Sequence, residues 1–289
     1  MQAALRYIRE RFHPLFQARR SRVGRCLIRA ADRPIWLTIP GIDFKVRGNL
    51  LTHGSAFAAC GSQEAAPESL VLSCARMLPL RSFWDIGANI GFYSWLLLSA
   101  KPGLDVTMLE PLPANCALIR QTIQRNALST TRLLEAAASD HTGYADLNAD
   151  TVGGFTSTLS DGPTFGERHM DAKSKRIRVR LVSVDDASAG LAVDFIKMDI
   201  EGYEAAALRG AQATIAAQQP VLLVECGHPK HDCLRVLEQQ NYAILDADHL
   251  SRKHEDSASN FLCVPPKFLD CIDDLLTAAR AQLSRTRES

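Results

Sequence analysis

The sequence predicts an α/β protein built on an open, mostly parallel sheet of seven strands with helices on both faces. Three observations predict it. From residue 83 onward, short apolar segments bounded by turn residues alternate with segments of helical period. A glycine-spaced turn joins the first of these strands to its helix, and acidic residues recur at the strand ends. Such alternation carries the chain from strand to parallel strand through crossover helices, which cover both faces.

The first 35 residues stand apart from that pattern. Residues 1–33 hold nine arginines against Glu10 and Asp32, interleaved with Leu5, Ile8, Phe12, Leu15 and Phe16. A basic amphipathic segment of this kind fits peripheral contact with an anionic membrane or a partner, and equally a solvated helix packed on the main domain. Residues 36–82 lead into the core. Within them 36–46 alternate as a small hairpin ending near Gly48, and 69–79 carry a helical pattern. The sheet-forming domain covers 83–265, and 266–289 read as a C-terminal helix.

The first strand, 81–86, runs into Gly87-Ala88-Asn89-Ile90-Gly91 and a helix over 92–100. Strand, tight turn and free helix N-terminus make a cradle for a nucleotide-like ligand, and a missing Cβ permits unusual backbone angles or close ligand approach. The spacing Asp-x-Gly-x-x-x-Gly departs from the Gly-x-Gly-x-x-Gly of dinucleotide sites, which points away from NAD. The second strand, 105–109, ends in Glu110-Pro111 and precedes a helix over 113–126. An acid there, about 20 residues past the glycine turn, is placed to accept a ribose diol.

The third strand is expected over 132–137. An insertion, 142–184, follows, and its Gly153-Gly154-Phe155-Thr156-Ser157-Thr158 run suits a mobile loop, either a lid or plain surface. Residues 177–182 alternate well enough for an extra strand. Strands at 193–198 and 221–225 are followed by helices over 200–209 and 230–240, and 242–246 and 260–264 complete the sheet.

Composition bounds the function. With 289 residues, 46% hydrophobic and 22% charged, the chain can bury one large core. A net charge of +1 offers no strong field, so no nucleic-acid partner is expected. No apolar run approaches the roughly 20 residues that span a bilayer, and Arg6, Arg9, Glu10 and Arg11 interrupt any secretory core. Eight scattered cysteines without a Cys-x-x-Cys pair suit a reducing compartment, so a cytoplasmic location is expected. Cys226-Gly227-His228-Pro229-Lys230-His231-Asp232-Cys233 fits no familiar zinc spacing, and no metal is expected.

Ligands in open α/β sheets bind at the carboxyl ends of the strands. Asp85, Glu110, Asp140, Asp199 and Glu225 all fall there, and five acids are costly to leave unpaired. A cationic or hydrogen-bond-rich ligand explains the clustering. Lys197, inside an apolar strand, is expected to pair with a nearby acid.

Asp85 to Ser94, Glu110-Pro111 with Asn115, and Asp194-Phe195-Ile196-Lys197-Met198-Asp199-Ile200-Glu201-Gly202-Tyr203-Glu204 resemble the FkbM-type S-adenosylmethionine-dependent methyltransferases. Leu208-x-Gly210-Ala211 and the strand 220–225 continue the resemblance, which covers roughly 83–264. It implies a Rossmann-like class I methyltransferase fold whose last two strands pair beside the fifth, one of them antiparallel. It also implies S-adenosylmethionine as cofactor. Asp85, Gly87 and Gly91 would line its methionine portion, Glu110 the ribose, and Ser139 and Asp140 the adenine, with Ala88, Asn89, Tyr93, Pro111 and Asn115 as further cofactor-binding positions. Relatives often carry a Tyr-Glu pair ahead of the first helix. Here Cys60-Gly61-Ser62-Gln63-Glu64 keeps only the acid, with Glu68 as an alternative.

The implied chemistry is O-methylation of a hydroxyl on a small molecule or glycan, a sugar or a secondary metabolite. Asp199 is the first candidate for base or acceptor-orienting group, with Glu201 beside it and His228 as rival, because an ordinary carboxylate is a weak base for an alcohol. Glu201 and Glu204 also read as favourable charges at a helix N-terminus. Two other classes remain open at this point: a nicotinamide-dependent oxidoreductase, and a non-catalytic nucleoside-binding protein that keeps Asp85 and Glu110 but needs no Asp199.

Overall fold

The computed structural model describes residues 21–54, 57, 64–149, 157–159, 174–226 and 230–288. Helix α1 (Arg22–Ala31) starts at Ser21, whose hydroxyl accepts the Gly24 amide at 2.9 Å and satisfies one of the open N–H groups of the first turn. Strands β1 (Pro34–Leu37) and β2 (Val46–Asn49) form the expected antiparallel hairpin, followed by a π-helical turn over Leu50–Gly54 and by α2 (Ala65–Met77).

The main alternation follows: β3 (Ser82–Ile86), α3 (Phe92–Ala100), β4 (Asp105–Leu109), α4 (Pro113–Arg125) and β5 (Thr131–Leu134). Next come β6 (Ala137–Ser139), β7 (Gly143–Ala149), β8 (Lys175–Ser183), the short α5 (Val184–Ala187), β9 (Phe195–Met198), α6 (Glu204–Arg209) and α7 (Gln212–Gln218). The chain closes with β10 (Val221–Glu225), α8 (Lys230–Glu238), β11 (Ala243–Asp246), β12 (Asn260–Val264), a 3-10 turn over Pro266–Cys271 and α9 (Ile272–Glu288).

Seven strands form one sheet in the order β11-β12-β10-β9-β3-β4-β5, all parallel except β12, which runs antiparallel to both neighbours. The connections lead outward from β3 to β4 and β5, then return to β9. The order therefore reverses between β3 and β9, where open α/β sheets place their ligands. Strand alternation sends Phe83, Met108 and Phe195 to one face, under α2, α3 and α9. It sends Trp84, Ile196 and Met198 to the other, under α6 and α7.

Two expected elements differ. The strand foreseen over 132–137 is two: β5 ends at Leu134, a turn closes with the Ala136 amide on the Leu134 carbonyl, and β6 pairs in parallel with β8 in a separate three-stranded sheet. The insertion supplies that partner, so its pairing overrides the apolar continuity of the segment. The helix foreseen over 200–209 starts only at Glu204, because Glu201 and Gly202 adopt left-handed φ of 54° and 90°. Among the described residues no helix is long and apolar enough to cross a membrane.

Candidate active site

A cavity of about 550 Å³ opens at the carboxyl ends of β3, β4, β9 and β10. The turn after β3 bends through three left-handed residues, Gly87, Asn89 and Gly91, with φ of 78°, 55° and 86°. Its glycines answer to the protein's own packing. A Cβ on Gly87 would stand 1.9 Å from the Asp199 carbonyl oxygen, and one on Gly91 would stand 2.6 Å from the Trp95 ring. The β3 turn and the loop after β9 are thereby pressed together, backbone on backbone.

Glu110, buried at the end of β4, closes the turn from its far side. One carboxylate oxygen accepts the Asn89 amide at 2.8 Å, and the other accepts the Leu112 amide at 2.9 Å and the Asn115 side-chain amide at 3.3 Å. Three of its roughly four lone-pair positions are engaged, which leaves room for a ligand's donor. Burial pushes its pKa up to about 7, and these three hydrogen bonds oppose the rise.

Asp85 is buried at the end of β3. Its Oδ2 accepts the Ser94 hydroxyl at 2.7 Å, while Oδ1 has no hydrogen bond among the described residues and lies 4.0 Å from the Lys197 ammonium. Burial raises its pKa. The side-chain oxygen of Asn89 is likewise buried without a partner among the described residues. Such atoms are rare in folded proteins, and here both belong to residues that line the cavity.

Opposite them stands a cluster around Lys197. Its ammonium donates to Asp199 Oδ2 at 3.1 Å and lies 5.5 Å from the centre of the Tyr93 ring. Burial disfavours that charge, but Asp199, Asp85 and Glu64 more than compensate and lift its pKa, so it remains an ammonium. Glu225, hydrogen-bonded to Asp199, is pushed up to about 9 by the Asp199 charge first and by burial second. At neutral pH Glu225 therefore holds its proton. Glu64 accepts the Tyr93 hydroxyl at 2.8 Å, and burial raises the pKa of both groups.

The remaining candidates separate. Glu204 is structural: one carboxylate oxygen accepts the amides of Ile200 and Gly202 at 3.2 and 2.9 Å and so holds the loop that carries Asp199. Glu201 lines the cavity, and its carbonyl accepts the Thr158 hydroxyl at 2.7 Å. Ser157 and Leu159 of the insertion also reach the cavity wall. Residues 153–156 of that loop, residues 60–63 and His228 lie outside the described residues.

Ser139 and Asp140 do not line the cavity, contrary to expectation. Because β6 leaves the main sheet, the Ser139 carbonyl packs against Gly210, where a Cβ would be 1.9 Å away, and Asp140 turns outward to Arg209 at 3.2 Å and His141 at 2.8 Å. Ala136, Ala137 and Ala138 line the wall instead, with Leu112 and Leu147. Glu225 lines the cavity as its strand-end position led one to expect, and so does Glu64, whereas Lys197 and His53 join the site without having been placed there from sequence. A lysine inside an apolar strand was the only strong local signal among them. Among the described residues no group of three or more His, Cys, Asp or Glu could hold a metal ion.

Residues 85–244, more than half of the chain, match the family described as the methyltransferase FkbM domain. No curated protein matches. Among solved structures the chain is similar to methyltransferase FkbM from Methylobacillus flagellatus KT, with 23% identity over 66% of this chain and 47% of that one and a TM-score of 0.44. It thus spans about half the length of that relative. It is also similar to the SAM-dependent methyltransferase from Agrobacterium tumefaciens, with 12% identity, coverage of 81% and 70% and a TM-score of 0.45. A TehB-like SAM-dependent methyltransferase from Corynebacterium glutamicum gives 14% identity, coverage of 73% and 91% and a TM-score of 0.41.

Proposed function

The chain belongs to the FkbM methyltransferase family, and from that premise we propose that it transfers a methyl group from S-adenosylmethionine to a hydroxyl of a sugar, glycan or secondary metabolite. The observation that carries this reading is the cavity's unspent hydrogen-bonding capacity. Asp85 Oδ1 and Asn89 Oδ1 lack partners, and Glu110 retains room for one, all at the reversal point of the sheet. A ligand rich in donors and bearing positive charge satisfies these atoms, and NAD, with its pyrophosphate, does not suit so acidic a wall.

Bound S-adenosylmethionine would supply a methyl carbon made electrophilic by its sulfonium. Glu110 accepts from the ribose in this reading, with Asn115 fixing the carboxylate plane. Asp85 and Asn89 accept from the methionine portion. The apolar wall of Ala136, Ala137, Ala138, Leu112 and Leu147 suits an adenine ring in place of Ser139 and Asp140.

The chain's own part in the displacement is alignment, exclusion of water and removal of one proton. Asp199 takes the acceptor's O–H proton as the new carbon–oxygen bond forms, when the oxygen turns strongly acidic, so a carboxylate suffices. Lys197 holds Asp199 from one side and protonated Glu225 from another, which fixes its direction. The buried thiols of Cys74, Cys116, Cys226, Cys233 and Cys263 support a cytoplasmic setting.

Titration calorimetry with S-adenosylmethionine, S-adenosylhomocysteine and NAD tests the reading. The first two are expected to bind and NAD not to; binding of NAD alone overturns it. Labelled methyl transfer into fractionated extract then narrows the acceptor.

A further inference from the structure

We propose that the N-terminal segment seats this protein on an anionic lipid bilayer, with α1 lying in the headgroup plane beside the cavity rim. The first observation is charge asymmetry. Nine of the chain's 33 lysines and arginines but only two of its 32 aspartates and glutamates fall in residues 1–33, so that segment is net +7 and the rest of the chain net −6. A neutral total conceals a cationic end on an anionic body.

The second observation is the outer surface of α1. Gly24 and Ile28 face inward, whereas Val23 and Leu27, one turn apart, are 71% and 66% exposed. Leu50, also exposed, lies beyond the C-terminal end of α1, its amide donating to the Arg33 carbonyl at 3.0 Å. Solvation accounts for the arginines of the segment but not for a bare Val–Leu pair among them. Apolar residues interleaved with arginines, as at Leu5, Ile8, Phe12, Leu15 and Phe16, match a surface that is both negative and able to take up hydrocarbon. A nucleic acid offers the charge without the apolar depth, so the bilayer is the better match.

The third observation ties this surface to the site. Asp32, at the C-terminal end of α1, accepts the amides of Leu51 and Thr52 at 2.7 and 3.3 Å together with the Thr52 hydroxyl. The next residue, His53, lines the cavity, its ring nitrogen accepting the Asn49 amide at 2.9 Å. α1 and the cavity rim are thus held as one piece.

The test is co-sedimentation of the full chain with phosphatidylcholine vesicles, with and without phosphatidylglycerol, and it requires no enzymatic activity. Binding is expected only with phosphatidylglycerol, weakening at least tenfold at high salt. Val23→Asp with Leu27→Asp is expected to remove it while far-ultraviolet circular dichroism stays unchanged, since both side chains face outward. Arg25→Glu with Arg29→Glu is a second, charge-only variant expected to weaken it. Absence of binding, equal binding to both vesicle types, full binding by both double variants, or binding to a single-stranded oligonucleotide in preference to vesicles overturns the proposal.

Discussion

The Lys197 ammonium stands 3.1 Å from the carboxylate of Asp199 and 4.0 Å from that of Asp85, so a single buried cation ties the end of β9 to the end of β3. Both acids belong to the cavity, and Asp85 could not carry its charge so deep on β3 without the cation of β9. Removing one member of a buried charge group leaves the rest uncompensated, at a cost of about 3–5 kcal/mol. Lys197→Met is expected to lose that much stability in urea unfolding. Lys197→Met with Asp199→Asn should recover part of the loss. A single variant within about 0.5 kcal/mol of the parent would show that the cation is not a keystone.

Glu110 gives the site a pH dependence of known sign. Its pKa is raised from 4.5 to about 7 in the fold, so the folded protein holds this proton through a range where the unfolded chain has released it. The stability it contributes is full below about 4.5 and is lost as pH rises toward about 7. Cofactor affinity should run the other way. Protonation takes up the one position that its three partners leave open for the ribose, so calorimetric affinity is expected to fall as pH drops below about 7. Glu110→Gln should flatten that profile, and Glu110→Ala should weaken binding about tenfold or more. A profile unchanged by Glu110→Gln removes Glu110 from the ribose contact.

Much of this was legible in the chain because it rests on local pattern. The strands 105–109, 221–225 and 260–264 coincide with β4, β10 and β12, and the helix over 92–100 with α3, since apolar runs and glycine punctuation fix such elements. The acids at Asp85, Glu110, Asp199 and Glu225 meet in one cavity because a parallel sheet brings every strand's carboxyl end to one edge. Long-range pairing was not legible. Nothing near Ala137 announces that β6 will leave for β8, and that departure takes Ser139 and Asp140 out of the site. Nor does the sequence around Glu64 show that it will reach across to Tyr93.

The charge of Asp199 and burial keep Glu225 protonated at neutral pH, which divides their roles. Asp199→Asn removes the proposed base but leaves Glu110, Asp85 and the β3 turn untouched. Turnover is expected to fall by about 100-fold or more with cofactor affinity nearly unchanged. Glu225→Gln keeps a hydrogen-bond donor toward Asp199 and should retain far more activity than Asp199→Asn. Equal losses in the two variants would make the pair a single catalytic unit, and full turnover in Asp199→Asn would exclude that residue from the proton transfer.

Gly87 and Gly103 separate backbone strain from the packing that aims Asp199. Both glycines sit at left-handed φ, 78° and 88°, so alanine at either costs about 1–2 kcal/mol of backbone strain. They differ in surroundings: a Cβ on Gly103 meets nothing within 4 Å, whereas one on Gly87 falls 1.9 Å from the Asp199 carbonyl, a backbone atom that cannot swing aside. The loop after β9 must therefore shift, and Asp199 with it. Gly103→Ala is expected to lower stability by the strain alone and to leave turnover intact. Gly87→Ala should cost clearly more stability and reduce turnover steeply, since a displacement of about 1 Å at an aligning group is worth on the order of 100-fold in rate. If the two variants lose the same stability and neither loses turnover, the contact between the β3 turn and the Asp199 loop has no part in positioning the carboxylate.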